Sequence, residues 1–189
     1  ADNWGQVAQL VSDDPADTTQ FGFAVGIGGA IAIVGSPGEA GEGTECGVVY
    51  LFSRDLGGSD AWGQAKAFAP IGTPDYTWLG TAVVTDGTRA VIGSPWDDGA
   101  GTTQGSVYIL GRDQDGIGNW GEVKKLTASD AQNEALFGYS VDLNGDYVVV
   151  GAGWAKGGGT ERGQAYLFSK DEGGTDNWGE AQRKRASDG

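Results

Sequence analysis

The sequence predicts an all-β array of propeller-type blades: three four-stranded antiparallel repeats, 58 residues apart. Three observations predict it. Landmarks recur at one fixed step, apolar and small residues alternate in short runs, and tight-turn dipeptides separate those runs. Trp-Gly pairs stand at Trp4, Trp62, Trp120 and Trp178, each 58 residues after the last. Gly22, Gly80 and Gly138 keep the same step, as do Gly35, Gly93 and Gly151, and Tyr50, Tyr108 and Tyr166. A fixed period of this length marks a supersecondary unit repeated in tandem.

Within one repeat, Phe21, Phe23, Val25 and Ile27 alternate with Gly22, Ala24 and Gly26. Alternation with a period of two predicts a strand with one apolar and one small face. The small face admits a close neighbour. Gly28-Gly29, Asp86-Gly87 and Asn144-Gly145 follow as two-residue hairpin turns. The second strand, 31–34, 90–92 and 147–150, is continuously apolar and predicts burial on both faces. After a loop of about a dozen residues comes the third strand, 48–52, 106–110 and 164–168. A Gly/Asp-rich turn then leads to a fourth strand that opens on the Trp-Gly pair. The blades span 20–68, 78–126 and 136–184, all in one array, with an extra outer strand at 2–10.

Composition narrows the function. There are 36 glycines and 5 prolines without a Gly-X-Y period, which excludes collagen. A net charge of −14 repels phosphate backbones and anionic lipid, so neither nucleic acid nor a membrane is an expected partner. No apolar run reaches the about 18 residues that a spanning helix needs. A chain that opens on Ala1 reads as a mature or excised segment. Histidine is absent and Cys46 is the sole cysteine, so His-based general-base pairs and intrachain disulfides are excluded.

These residues resemble the FG-GAP repeats of integrin α-subunit propellers and their bacterial relatives. The motif reads Phe21-Gly22 with Gly35-Ser36-Pro37, Leu79-Gly80 with Gly93-Ser94-Pro95, and Phe137-Gly138 with Gly151-Ala152-Gly153. The resemblance implies a propeller and an extracellular or cell-surface adhesion role. It also implies calcium loops in many members, and here that pattern is missing. Asp142, Asn144 and Asp146 have alternating spacing, but Gly145 falls inside the turn and no later acidic ligand follows. Calcium therefore remains an expectation of the resemblance alone.

Three blades are too few for a ring, since propellers use about four to eight. Two chains would close six, which makes a homodimer the expected assembly. Residues 2–10 and 176–184 are both copies of the outer strand. Leu10, Phe68 and Leu126 share an aligned apolar position that Lys184 breaks. Two readings stay open: a strand exchange that places residues 4–10 on a partner, or a local hairpin between Phe168 and Trp178.

The resemblance places ligand binding on the rim that carries the fourth-to-first and second-to-third connections. Candidates there are Glu39, Tyr76, Trp78, Trp96, Asp97, Asp98 and Trp154, with Asp13, Asp14 and Asp17 in the first copy. A tryptophan beside carboxylates can stack on a sugar whose hydroxyls the acids receive. The competing reading packs each tryptophan under its own loop. On the opposite rim, Asp55, Asp60, Asp113, Asp115, Asp171 and Asp176 are metal candidates or turn caps. The expected function is non-catalytic binding of a protein or glycan. A self-assembling structural repeat comes second, and a carboxylate glycoside hydrolase third.

Overall fold

The computed structural model describes residues 5–12, 19–98, 101–156 and 163–185. Among these residues twelve strands form three separate antiparallel sheets. The first holds β1 (Ala24–Gly28), β2 (Ile31–Ser36), β3 (Val48–Ser53) and β4 (Gly63–Phe68). The second holds β5 (Ala82–Thr85), β6 (Arg89–Ser94), β7 (Ser106–Arg112) and β8 (Trp120–Leu126). The third holds β9 (Ser140–Asn144), β10 (Tyr147–Ala152), β11 (Gln164–Ser169) and β12 (Gly179–Arg185). Each sheet runs in sequence order, and β5 contacts both β1 and β9, so the sheets stack as successive blades. An irregularity in register recurs at Leu51/Phe52, Ile109/Leu110 and Leu167/Phe168, which bends every outer strand at the same point.

The sheets bury their faces against one another. Ile31, Ile33, Val49 and Leu51 of blade 1 pack on Ala90, Ile92, Tyr108, Leu110 and Trp120 of blade 2. Val91, Val107 and Ile109 of blade 2 pack on Val148, Val150, Phe168 and Trp178 of blade 3. The repeated glycines set the spacing. A Cβ on Gly35 would stand 2.0 Å from the Gly80 carbonyl oxygen, and one on Gly93 2.0 Å from that of Gly138. The two halves of the repeated glycine motif thus meet across a blade junction rather than within one blade.

Three expectations need correction. Phe21 does not start the first strand. Gly22 takes φ +91°, and its N–H donates to the Gly35 carbonyl at 3.1 Å, so the strand begins at Ala24. Phe21 turns inward onto Tyr50 and Phe52, while Phe23, Val25 and Ile27 face outward. The hairpin turns fall later than their dipeptides. Gly28 pairs with Ile31 around Gly29-Ala30, and Asn144 pairs with Tyr147 around Gly145-Asp146. Only the glycine takes a positive φ, so Asn144 remains in the strand. Finally, β10 is not buried on both faces: Val148 and Val150 pack on blade 2, and Tyr147 and Val149, on the face turned away from it, are exposed.

The local hairpin forms at the C-terminal end, where β12 pairs with β11. Residues 5–12 belong to no strand. They lie on the outer face of blade 1, where Leu10 packs on the cluster of Val34, Tyr50 and Phe52, and Ser12 Oγ donates to the Tyr50 hydroxyl at 3.1 Å.

Candidate functional site

The rim loops are stitched across the junctions before they present any side chain. The Tyr76 N–H donates to the Thr44 carbonyl at 2.8 Å, and the Thr44 N–H donates to Asp75 Oδ1 at 2.8 Å. The next junction repeats the arrangement, with the Glu134 N–H on the Thr102 carbonyl at 2.9 Å and the Phe137 N–H on that of Gln104 at 3.0 Å. Tyr76 and Trp78 hold φ +63° and +51°, and Glu134 and Leu136 match them at +64° and +54°. Backbone in this sparsely populated region persists only where its surroundings fix it. Here the cross-junction hydrogen bonds do so.

On this frame four aromatic rings form a continuous row. Trp78 and Trp96 have ring centroids 5.0 Å apart, Trp96 and Tyr139 6.1 Å, and Tyr139 and Trp154 4.9 Å. The rings come from the β4–β5, β6–β7, β8–β9 and β10–β11 connections, so the row crosses from blade 2 to blade 3. The Trp78 indole N–H donates to Glu45 Oε2 at 3.2 Å, which fixes one end. Trp96 is half-buried between its neighbours. Tyr139 and Trp154 remain 44% and 41% exposed and open the far end to solvent. Polar groups flank that end: the Lys156 N–H donates to Gln132 Oε1 at 2.8 Å, and Lys156 Nζ lies 3.7 Å from Glu134.

Three of the predicted residues, Trp78, Trp96 and Trp154, are therefore brought together. Tyr139 was missed because its alternation with Phe137 and Val141 reads as strand. Tyr76 is exposed two residues before Trp78. The predicted carboxylates do other work. Asp97 is 1% exposed and receives Ser106 Oγ at 2.7 Å, Lys125 Nζ at 2.7 Å and the Tyr108 hydroxyl at 3.4 Å. It anchors β7 and β8 and is not offered to a ligand. Asp98 caps its loop by accepting from the Thr103 N–H at 2.9 Å. Glu39 is half-buried and receives the Tyr50 hydroxyl. Asp13, Asp14 and Asp17 lie outside the described residues.

The Asp97 cluster has counterparts. In blade 3 the Tyr166 hydroxyl donates to Asp130 Oδ1 at 2.8 Å and Arg183 Nη1 reaches Asp130 Oδ2 at 2.7 Å. Each blade thus pins its repeated tyrosine to a carboxylate. Blade 1 draws its acid from Glu39 and blade 2 from Asp97, at the same repeat position, whereas blade 3 has Ala155 there and uses Asp130. Burial pushes the Tyr166 phenol up, and the Asp130 carboxylate beside it adds to the rise. Burial alone would raise Asp130. The hydrogen bonds from Tyr166 and Arg183 outweigh it and hold that carboxyl below its ordinary value.

The acidic turns on the other rim are capped internally. Asp55 Oδ1 accepts from the Asp60 N–H at 3.2 Å, Asp171 Oδ1 from the Asp176 N–H at 3.0 Å, and Asp113 Oδ1 from the Gly118 N–H. Asp60, Asp115 and Asp176 pair with Arg54, Lys66 and Lys170. Asp146 of the Asp142-Asn144-Asp146 series pairs with Arg89 at 3.3 Å. Among the described residues no three acidic, cysteine or histidine side chains gather as a metal site would require. Among the described residues no helix is long and apolar enough to cross a membrane.

Stacked four-stranded blades with glycine-mediated junctions define a propeller-type repeat protein. The chain belongs to the FG-GAP repeat family, which matches residues 4–52, 62–110 and 120–168. Each match begins at the Trp-Gly pair and ends with the third strand of a blade. One sequence repeat therefore joins the outer strand of one blade to the inner strands of the next, and residues 169–185 fall outside the matches. No match is found among curated proteins.

Proposed function

We propose that the chain is a non-catalytic extracellular or cell-surface binding module that engages a glycan, or a glycan-bearing protein, through the aromatic row. The row carries the reading. Exposed Tyr139 and Trp154 rings beside Lys156, Gln132 and Glu134 combine an apolar stacking surface with hydroxyl-binding groups. FG-GAP repeats are typical of extracellular or cell-surface proteins, which supports the location. A binding role without catalysis is supported by the absence of histidine and by the engagement of Asp97 and Asp98 in structural hydrogen bonds.

The test is an oligosaccharide array followed by calorimetry on any hit, with Trp154→Ala as the variant. Trp154 is partly exposed, so truncation leaves the fold intact while removing a stacking surface. Affinity should fall by about tenfold or more, the loss of roughly 1.4 kcal/mol or more of contact. Unchanged binding by Trp154→Ala would remove the row from the site. A second reading, a self-assembling structural repeat, is favoured by the exposed apolar faces at the two ends of the stack.

A further inference from the structure

Where blades 2 and 3 meet on the rim of acidic turns, away from the aromatic row, the chain departs from its own repeat in two places. The first is Arg89 at the start of β6. Its blade 1 counterpart is Ile31, which is buried in the first junction. A guanidinium cannot be buried in that way without partners. Arg89 Nη1 donates to the Gly145 carbonyl at 2.5 Å, Nη2 lies 3.3 Å from Asp146 Oδ1, and the guanidinium carbon stands 5.5 Å from the Trp178 ring centroid. The fork still has N–H donors to give.

The second departure is a missing acid. The third strand of each blade ends at or beside a cation, Arg54, Arg112 or Lys170. In blade 1 Arg54 pairs with Asp60 at 3.5 Å, and in blade 3 Lys170 pairs with Asp176 at 2.9 Å. Blade 2 has Gly118 at the position of those acids, and among the described residues Arg112 has no ion pair. Its neighbour Asp113 accepts from the Gly118 N–H. Both departures add positive charge at one place. Arg89, Arg112 and Lys170 line a single cleft of about 530 Å³, together with Trp178, Gln114 and one acid, Asp176. This surplus of cations stands out in a chain whose net charge is −14.

We infer that this cleft binds the phosphate or sulfate group of a small molecule, either as the free anion or as a monoester. Guanidinium forks match the geometry of these oxyanions, and a tetrahedral anion has oxygens enough for two forks and an ammonium at once. Chloride does not. The cleft has the size of a small-molecule site. The acidic surface around it repels long polyanions, so the ligand is small. The first junction offers no equivalent, since Ile31 stands in place of Arg89 and Arg54 is paired. The site shares no residue with the aromatic row and does not depend on glycan binding there.

Calorimetric titration of the whole chain with inorganic phosphate and with inorganic sulfate, at fixed ionic strength, tests it. Each should bind saturably below about 10 mM. Arg112→Gln should weaken both by about tenfold or more, through loss of a charge-assisted hydrogen bond. Gly118→Asp should do the same without removing a cation, because it returns the acid that the other blades carry. It should fold, since Asp60 and Asp176 hold φ +56° and +55° at this position and nothing lies within 4 Å of a Cβ built on Gly118. An unchanged melting temperature of each variant checks this. Lys184→Gln makes the same change in net charge at the far end of β12 and should leave the affinity as it was. Glycerol phosphate separates the two sources: tighter binding than free phosphate assigns the site to an ester, and equal binding to the free anion. No saturable binding, an affinity indifferent to both Arg112→Gln and Gly118→Asp, or an equal loss in Lys184→Gln would overturn the inference.

Discussion

Val91 and Val149 occupy the same place in successive repeats and differ entirely in surroundings. Val91 is fully buried between blades 2 and 3, and Val149 stands partly in solvent at the end of the stack. The same contrast separates Gly93, whose neighbour is the Gly138 backbone of the next blade, from Gly151, whose neighbour is a serine side chain of its own blade. A repeat therefore carries the residues of a junction whether or not a partner is present. What a residue contributes to stability is set by the blade beside it, as expected where each unit contacts only its neighbours.

The sharpest way to break this comparison is to add one methyl group at each of the two glycines. In Gly93→Ala the new Cβ falls 2.0 Å from a backbone carbonyl oxygen that cannot move without shifting the blade. The cost should be about 3 kcal/mol, at the upper end for overpacking. In Gly151→Ala the nearest atom is the Ser140 hydroxyl at 2.3 Å, the tip of a side chain that can rotate away. That variant should lose under about 1 kcal/mol. Urea unfolding of both decides it. Equal losses would mean that the repeat, and not the junction, sets the requirement for glycine.

The repeat, the four strands and the outer Trp-Gly strand were legible because a fixed period exposes structure without knowledge of any contact. Junctions were not legible, since a residue such as Gly35 shows its partner Gly80 only when two blades are stacked. The aromatic row, the candidate site, was legible by half. Trp96 and Trp154 stood out as tryptophans in loops, but the ring that links them, Tyr139, hides within an alternating run. The carboxylates misled for a physical reason. In an acidic chain any aspartate is available to a sequence argument, yet Asp97 is consumed by Ser106, Tyr108 and Lys125.

A smaller effect contrasts the blades through their tyrosine anchors. Asp130 is held below its ordinary pKa by Tyr166 and Arg183. A depressed carboxyl contributes stability that is fully present above its unfolded value, about 4, and is lost as pH falls through the folded value. Asp130→Asn should therefore cost about 1 kcal/mol at neutral pH. Its deficit against the unaltered chain should shrink as the pH approaches the folded value and passes below it. Thermal melts between neutral and acid pH would show the two curves converging. A constant gap would mean that the anchor is geometric rather than ionic.

The smallest effect concerns blade 1, where the repeat position that supplies a cation to the anchors of blades 2 and 3 holds an alanine. Lys125 on β8 serves Asp97, and Arg183 on β12 serves Asp130. The aligned position on β4 is Ala67, directly across from Tyr50 in the sheet. Ala67 is exposed, so a longer side chain meets no obstacle, and Glu39 already receives the Tyr50 hydroxyl. Ala67→Lys should supply the missing charge and raise stability by about 0.5 kcal/mol, the scale of a partly exposed ion pair. The gain should vanish in Ala67→Lys/Glu39→Gln, as a double-mutant cycle by urea unfolding would show. A gain that survives removal of Glu39 would come from strand preference and not from completing the anchor. End and middle blades would then differ by more than the neighbours they lack.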